Sequence, residues 1–273
     1  MSYRMDRDHE SPSLLGARLD GEAGAPVLQA YEVKFFLQEE GAAVVATWAL
    51  EGGGMRPDSH GNPALGGCYT TTTLYLDTDA LDVYYRREGY AKRRYRIRRY
   101  GDDATVHLEC KSKSGDRVSK QRSAVSIDRA LAFGRAGEPG NWAGRWFAER
   151  TADLGLKPAS MVTYRRAAFI GLSEQGPVRV TIDRAVRARL CGPSCGWGPE
   201  MIPEGEGPDV LSGRAIVELK YLTAMPLVFK SLMKNLTLHP ASVSKYRLGR
   251  EALGSPTAGD APPAAGAKET PIA

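Results

Sequence analysis

Short segments rich in valine, isoleucine, threonine and aromatic residues recur along the middle of the chain, each bounded by glycine, aspartate, proline or serine. This composition and spacing are typical of β-strands. The segments lie at 29–37, 69–77, 91–100, 105–113, 120–128, 161–170, 178–186 and 215–222. Because most connections between them are short, we predict an antiparallel sheet closed into an eight-stranded barrel, which leaves no exposed edge strand.

Three other segments have apolar residues at helical spacing, at 38–50, 141–156 and 224–238. The last of them has Pro226 in its first turn, a position that proline tolerates well. Its apolar stripe consists of Leu227, Phe229, Leu232, Met233 and Leu236. We expect this stripe, like the other helices, to pack on the outside of the barrel. The predicted fold class is therefore α+β.

Charged side chains occupy every second position in most of the predicted strands. Side chains alternate across a strand, so residues two apart share a face. In the stretch KRRYRIRRY, Arg94, Arg96 and Arg98 share one face, and Tyr95 and Ile97 lie on the other. The same sorting gives charged faces with Glu32 and Lys34; His107, Glu109, Lys111 and Lys113; Lys120 and Arg122; Arg179, Thr181 and Asp183; and Glu218 and Lys220.

An antiparallel sheet can place these charged faces in two ways. They can be its solvated outside, which is the commoner arrangement, or they can line the inside of a barrel whose apolar faces lie under the helices. Solvated faces usually mix both signs of charge, whereas lysine and arginine dominate here. A row of arginines would suit a chain of phosphates, because each guanidinium group matches phosphate oxygens with two hydrogen bonds. The pattern alone leaves both arrangements open.

The overall charge adds little to this picture, but its distribution adds more. The 273 residues include 37 lysines and arginines and 32 aspartates and glutamates, a formal net charge of +5. Between residues 92 and 122 the basic residues clearly outnumber the acidic ones, which can create a strongly positive local potential. No stretch has the length and apolarity of a signal-peptide core or a membrane helix, so we expect a cytoplasmic protein.

Composition also predicts the domain boundaries. Residues 1–27 are rich in glycine, aspartate and arginine, and residues 254–273 are rich in proline, alanine and glycine. We expect both segments to be disordered and residues 28–253 to form a single domain. The glycine-rich segment 51–67 is predicted to be a loop. The sequence assigns no role to this loop.

The cysteines do not indicate a metal site. Cys191 and Cys195 lack a second cysteine or histidine pair at the spacing of a structural zinc site. In a cytoplasmic chain we expect unpaired thiols, with a disulfide in this loop as the alternative. The sequence assigns no further role to the pair.

Nine short motifs, in order along the chain, resemble those of one known family. They are EVK, LYLDT, YRIRRY, LECKSK, SKQR, YRRAAF, RVTIDRAV, VELKY and SKYRLG. Together they resemble the VTC domain of the vacuolar transporter chaperone complex, which belongs to the triphosphate tunnel (CYTH-like) superfamily. The resemblance implies a barrel around a basic tunnel, Mn²⁺ or Mg²⁺ as cofactor, and transfer of the γ-phosphate of ATP to a growing polyphosphate chain.

The resemblance also implies roles for individual side chains. Those expected to act in phosphoryl transfer are Arg96, Arg98, Lys111 and Lys220. Those expected to bind the substrate are Lys34, Lys120, Arg122, Tyr164, Arg166, Arg179 and Lys245, and with them Arg94, whose role is open. Glu218 matches the family's metal-binding glutamate, and Glu32 is either a second metal ligand or an ion-pair partner. We expect Glu109 to be a structural ion-pair partner and Asp183 to orient Arg179.

One motif departs from the superfamily pattern. Many tunnel triphosphatases begin with Glu-x-Glu-x-Lys, but the corresponding stretch here is Ala30-Tyr31-Glu32-Val33-Lys34, so the first carboxylate is absent. This difference favours the polymerase. The alternative is a tunnel triphosphatase that hydrolyses ATP or inorganic triphosphate.

A third interpretation is a non-catalytic module that binds polyphosphate or nucleic acid. Proteins that bind single-stranded nucleic acid stack its bases on aromatic side chains. Here Tyr95 and Tyr221 lie on the faces opposite the charges, so we expect no nucleic-acid partner. The expected partners are ATP, inorganic polyphosphate, and pyrophosphate or phosphate. The sequence does not identify a membrane-protein partner.

Overall fold

The computed structural model describes residues 30–114, 117–131, 142–191 and 206–255. The segment 1–27 and most of 254–273, for which disorder was predicted, lie outside these ranges. The strands are β1 (Ala30–Gln38), β2 (Arg56–Pro57), β3 (Tyr69–Asp77), β4 (Arg93–Tyr100), β5 (Thr105–Ser114), β6 (Arg117–Ser126), β7 (Lys157–Ser173), β8 (Gly176–Leu190) and β9 (Arg214–Tyr221). The helices are α1 (Glu39–Glu51), α2 (Asp82–Tyr85), α3 (Ile127–Leu131), α4 (Arg145–Asp153), α5 (Leu227–Asn235) and α6 (Lys245–Ala252). None of the described helices is long and apolar enough to cross a lipid bilayer.

Eight of the strands close into a barrel. Their order around it is β7-β3-β4-β5-β6-β1-β9-β8, and β8 pairs with β7 to complete the ring. Every neighbouring pair is antiparallel. Strand β2 is a short addition to β7, with Arg56 opposite Ile170. The predicted fold class, an α+β protein built on an eight-stranded antiparallel barrel, is confirmed.

Strands β7 and β8 form a hairpin that is longer than the two segments predicted for it. They run over 17 and 15 residues. The hydroxyl of Ser173 donates to the carbonyl of Gly176 in the turn, and Gly176 has a φ of 101°, which a residue with a side chain would rarely adopt. The missed part of β8 alternates Arg187 and Arg189 with Ala188, a pattern with too little hydrophobicity to predict a strand.

The apolar faces of the strands point outwards and are covered by helices. Helices α1 and α5 bury their apolar stripes in one hydrophobic cluster with the outward residues Phe35, Val180 and Val217. In a second cluster, Phe147 of α4 packs on Tyr95 with ring centroids 5.7 Å apart. Burying each side chain of this size contributes about 1.5–3 kcal/mol. The interpretation of the charged faces as a solvated exterior is therefore wrong, because the charges lie inside the barrel.

Helix α6, which the sequence analysis did not predict, packs against β7 and β8. The hydroxyl of Tyr246 donates to the carboxylate of Asp77. Asp77 is buried and also accepts the backbone N–H groups of Val83 and Tyr84 at 2.8 and 2.9 Å. These bonds tie α6 to α2 and to the end of β3, and they place Lys245, the first residue of α6, at the barrel interior.

Cys191, which follows the last residue of β8, is disulfide-bonded. Cys68 and Cys110 are free thiols. The expectation of an unpaired thiol at Cys191 is therefore wrong. That expectation came from the redox compartment alone, which carries no information about the local distance between two sulfur atoms.

Candidate active site in the barrel lumen

The barrel interior, here called the lumen, contains the charged side chains that share the inward strand faces. Arginines and lysines outnumber carboxylates among them, and Arg98, Arg166 and Arg179 are no more than 7% exposed. The carboxylates that neutralise part of this charge are Glu32, Asp58, Glu109, Asp183 and Glu218. Buried charges are costly unless they are paired. Ion pairs with these carboxylates therefore stabilise the buried arginines and lysines in their positions.

The first charged centre surrounds Glu109. In the sheet register Glu109 lies directly opposite Arg96 on β4 and Arg122 on β6. Its fully buried carboxylate accepts Arg96 Nε at 2.7 Å, and nitrogens of Lys120, Arg122 and Arg98 lie 3.3, 3.6 and 3.9 Å away. Burial would raise the pKa of Glu109, but these four cations hold it well below its ordinary value. Glu109 therefore occupies the structural ion-pair position expected from the sequence.

The second charged centre contains two carboxylates, Glu32 and Glu218, and three lysines. In the register of β1 and β9, Glu32 lies opposite Lys220, and Lys34 lies opposite Glu218. Lys34 Nζ is 3.7 Å from Glu32 and 3.2 Å from Glu218, and Lys220 Nζ is 3.5 and 3.3 Å from the same two carboxylates. Lys111 of β5 donates to Glu32 at 2.6 Å. The two carboxylates thus share their ammonium neighbours.

This sharing shifts the pKa values of the second centre. Burial and Glu218 would raise the pKa of Glu32, but the ammonium groups of Lys111, Lys220 and Lys34 lower it to about 2. Burial lowers the pKa of Lys111 to about 7, although the carboxylate of Glu32 opposes the shift. Lys111 therefore titrates near neutral pH, while Glu32 stays ionised.

The third charged centre is Asp183, opposite Arg166 in the register of β7 and β8. Arg166 donates Nε and Nη2 to its two carboxylate oxygens at 2.6 and 2.8 Å, and Lys245 of α6 pairs with the same carboxylate. Arg166 and Lys245 both lie over the ring of Tyr164, at 5.2 and 4.8 Å from its centroid. Arg179, which we expected Asp183 to orient, donates instead to the carboxylate of Asp58.

A cavity in the lumen brings most of the predicted site residues together. Its lining consists of Lys34, Tyr75, Arg94, Arg96, Arg98, Lys111, Tyr164, Arg166, Glu218, Lys220, Val243, Ser244 and Lys245. Among these described residues, eight arginines and lysines face one carboxylate, Glu218. Because fixed cations in a concave, partly desolvated site attract anions strongly, the cavity is suited to a highly charged anion.

Four predicted site residues lie outside this lining, namely Glu32, Lys120, Arg122 and Arg179. Lys120 and Arg122 lie beside the lining as partners of Glu109. Arg94, whose role the sequence left open, does line the cavity, and it forms no ion pair with any described residue. It is thus available to an incoming anion.

The donor set for a metal ion is small. In the described parts of the chain, no three or more histidines, cysteines, aspartates or glutamates lie together in a way that could hold a metal. Glu32 and Glu218 form a pair of carboxylates that share Lys34 and Lys220 as neighbours. Mg²⁺ is usually held by one or two carboxylates plus substrate phosphates and water, so this pair fits a hard divalent cation that takes its other ligands from a bound phosphate.

Sequence reasoning missed Asp58, which belongs to the glycine-rich segment 51–67. Arg179 Nη2 lies 2.5 Å from its carboxylate, although the two residues are 121 positions apart in the chain. No periodicity marks this segment, so no local signal could have found the pair. Thr73 was missed as well, and its hydroxyl accepts Arg98 Nε at 3.1 Å.

A model of the VTC domain family matches residues 29–254. No curated protein sequence matches the chain. Similar solved structures include a candidate adenylate cyclase from Bacillus halodurans, 14% identical, covering 78% of this chain and 92% of that one with a TM-score of 0.44. A candidate adenylyl cyclase from Hippeastrum, described as having a dominant triphosphatase activity, is 15% identical over 82% of this chain and 96% of its own, with a TM-score of 0.42. A protein from Pyrococcus horikoshii is 16% identical over 81% and 98%, with a TM-score of 0.41.

Proposed function

Because the chain belongs to the VTC domain family, we propose that it is a polyphosphate polymerase, which transfers the γ-phosphate of ATP to a growing inorganic polyphosphate chain inside the lumen. The observation that carries this proposal is the cavity lining, in which eight arginines and lysines face a single carboxylate. A cavity with this charge supports binding of ATP together with a second polyanion.

The chemistry requires charge neutralisation more than proton transfer. Phosphoryl transfer depends mainly on positioning and electrostatic stabilisation. The acceptor is itself an anionic phosphate, either the end of the polymer or, at initiation, pyrophosphate or phosphate, so it needs no strong base. Cations that are already fixed before the substrates arrive require no reorganisation during the reaction.

We assign the central role to Arg96 and Arg98, neighbours on the inward face of β4. Glu109 holds Arg96, and Thr73 accepts the Nε of Arg98, so both guanidinium groups are preorganised. Their remaining donors can bind phosphate oxygens of donor and acceptor with two hydrogen bonds each. Lys111, on the neighbouring strand β5, and Lys220, on β9 across the lumen, would neutralise the charge that develops on the transferred group.

The remaining cavity residues would hold the rest of the two substrates. Tyr164, whose hydroxyl has no hydrogen-bond partner among the described residues, can donate to a phosphate oxygen between the cations that cover its ring. The other proposed ligands in the lining are Lys34, Arg94, Arg166 and Lys245. Lys120, Arg122 and Arg179 would extend the positive surface beyond the cavity.

Glu218, with Glu32 beside it, would hold the Mn²⁺ or Mg²⁺ ion. Such an ion, when bound, would supply positive charge that neutralises part of the charge on the phosphates. Lys34 and Lys220 now lie within 3.7 Å of these carboxylates. Both lysines line the cavity, so they would also be within reach of the phosphates.

Analysis of the reaction products tests the proposal. The full chain is incubated with ATP and Mn²⁺ or Mg²⁺, and the products are separated on a polyacrylamide gel. We expect a ladder of polyphosphate lengths that appears together with ADP. Release of orthophosphate without a ladder would instead identify a tunnel triphosphatase, and binding of polyphosphate without turnover of ATP would identify a binding module.

A further inference from the structure

The segment 56–62, here called the strap, crosses from α1 towards β3 and is fixed to the barrel. Its first residues form β2 on β7, and the backbone N–H of Asp58 donates to the carbonyl of Ala168 at 2.8 Å. The N–H of Gly61 donates back to the carbonyl of Asp58 at 3.0 Å. A Cβ atom at Gly61 would lie 2.6 Å from the carbonyl oxygen of Gly67, so the turn depends on glycine. The strap therefore holds Asp58 in one place.

Asp58 reaches from the strap to Arg179 of β8. The guanidinium of Arg179, 3% exposed, donates Nη2 to the Asp58 carboxylate at 2.5 Å and to the hydroxyl oxygen of Tyr69 at 3.3 Å. In the sheet register Arg179 lies directly opposite Lys220, which lines the cavity, whereas Arg179 itself does not. The Arg179–Asp58 pair thus lies beside the cavity, one strand away from Lys220.

Aromatic rings close the space around this pair. His60 Nδ1 lies 3.0 Å from the Asp58 carboxylate, and the His60 ring packs on Tyr69 and Tyr100 with centroids 5.6 and 5.2 Å apart. Tyr69 and Tyr100 in turn meet edge to face at 5.8 Å. A phosphate chain that extends from the cavity past Arg179 would have to move Asp58 and this group of rings.

We propose that Asp58 is an internal competitor of phosphate for Arg179, so that the strap discriminates between short and long phosphate chains. A carboxylate and a phosphate present similar oxygen pairs to a guanidinium group. A triphosphate would be held by the residues of the cavity lining, which includes neither member of the pair. A longer chain reaches Arg179 only by displacing Asp58, and it loses affinity by the free energy of that displacement. This inference rests on the proposed function, because it takes the lumen to be the phosphate site.

The test compares binding of two probes, inorganic tripolyphosphate and long-chain polyphosphate, to the full chain by isothermal titration calorimetry. Asp58→Asn keeps the shape of the side chain but weakens its hold on Arg179. We expect this variant to bind long-chain polyphosphate about tenfold more tightly than the wild type, with tripolyphosphate binding unchanged. Glu149→Gln is the matched control, because it removes one negative charge from an exposed pair on α4, and it should alter neither affinity.

Several results would overturn the inference. If Asp58→Asn lowers the affinity for both probes, Asp58 orients Arg179 for binding instead of competing with phosphate. If the ratio of the two affinities stays at the wild-type value, the strap does not discriminate by length. His60→Ala is a second variant that keeps the ion pair and removes the central ring, and it should tighten long-chain binding by less than Asp58→Asn. A loss of affinity for long-chain polyphosphate in His60→Ala would also contradict the inference. By contrast, failure of the wild type to bind tripolyphosphate would refute the proposed function itself.

Discussion

The two charged centres on neighbouring walls of the lumen are built in opposite ways. Around Glu109, one fully buried carboxylate is surrounded by four cations, and Arg96 forms the shortest contact with it at 2.7 Å. Around Glu32 and Glu218, two carboxylates share Lys34 and Lys220, and Lys111 pairs with Glu32, at distances between 2.6 and 3.7 Å. The first centre has one carboxylate for all four cations, whereas in the second centre Lys34 and Lys220 each lie within 3.7 Å of two carboxylates.

The choice of cation strengthens this difference. A guanidinium group is planar and always charged, and its donors have a fixed geometry, whereas a lysine ammonium is a mobile point charge whose pKa shifts readily on burial. The centre around Glu109 is therefore suited to hold phosphate clamps in place. The lysine centre is suited to exchange one partner for another, whether a proton, a metal ion or a phosphate.

The largest expected effect is on stability. Glu109→Gln would leave four buried cations without their shared counterion, and removing one partner of a buried ion pair typically costs about 3–5 kcal/mol. We expect a loss of this size in the free energy of unfolding, measured by denaturation with urea. Glu218→Gln should cost clearly less, because Glu32 remains as an acceptor for Lys34 and Lys220. Equal losses in the free energy of unfolding of the two variants would show that the two centres depend equally on a single carboxylate.

The next effect is on activity. Arg98→Ala should lower ATP turnover by about a hundred- to thousandfold, the range for loss of one preorganised charge-stabilising donor. Its thermal melt should stay close to that of the wild type, because Glu109 keeps three other cations. Arg145→Ala, at an exposed position on α4, is the control. If Arg98→Ala turns over ATP at the normal rate, the lumen is not the active site.

Much of this architecture could be predicted from strand period alone. Strand β3 was predicted with its exact ends, because a run of threonines and aromatic residues stops at Asp77. The same period sorted Arg96 and Glu109 onto the charged faces of their strands. Once the register is known, the ion pairs around Glu109 follow from it, since Arg96 and Arg122 lie directly opposite this residue.

What strand period could not give is the relation between distant parts of the chain. Alternation is the same for a barrel with its charges inside and for one with its charges outside, and only the packing of residues such as Phe147 on Tyr95 distinguishes them. Helix α6 was missed because charged residues interrupt its few apolar positions. The contact of Asp58 with Arg179 depends on how a loop without periodicity folds across the barrel.

A smaller effect concerns the metal ion at the lysine centre. Glu218→Gln should raise the Mn²⁺ concentration needed for half-maximal turnover by at least about tenfold, since even loss of a residue that supports a metal ligand costs a site that much. Tripolyphosphate binding should persist, because the arginines of β4 are untouched. The measurement is turnover against Mn²⁺ concentration, with calorimetry for binding. A wild-type metal dependence in this variant would rule out Glu218 as a ligand.

The smallest effect is a dependence of binding on pH that arises from Lys111. Burial lowers the pKa of this lysine from 10.5 to about 7, and a bound phosphate would stabilise its charged form, so binding above this pH takes up a proton. Tripolyphosphate affinity should therefore be greatest below about pH 7 and fall as the pH rises, by less than about tenfold per pH unit. Lys111→Arg stays charged and should flatten the profile, whereas Lys157→Arg, in an exposed pair with Asp79, should keep the wild-type profile.

The same shift predicts a matching change in stability. Between pH of about 7 and 10.5 the unfolded chain keeps a proton on Lys111 that the folded chain has lost. The free energy of unfolding should accordingly rise with pH across this window in the wild type, and rise less in Lys111→Arg. Urea denaturation at a series of pH values measures both slopes. If the two proteins show the same slope, Lys111 stays charged over the whole pH range. The lysine centre would then exchange no proton, like the centre around Glu109.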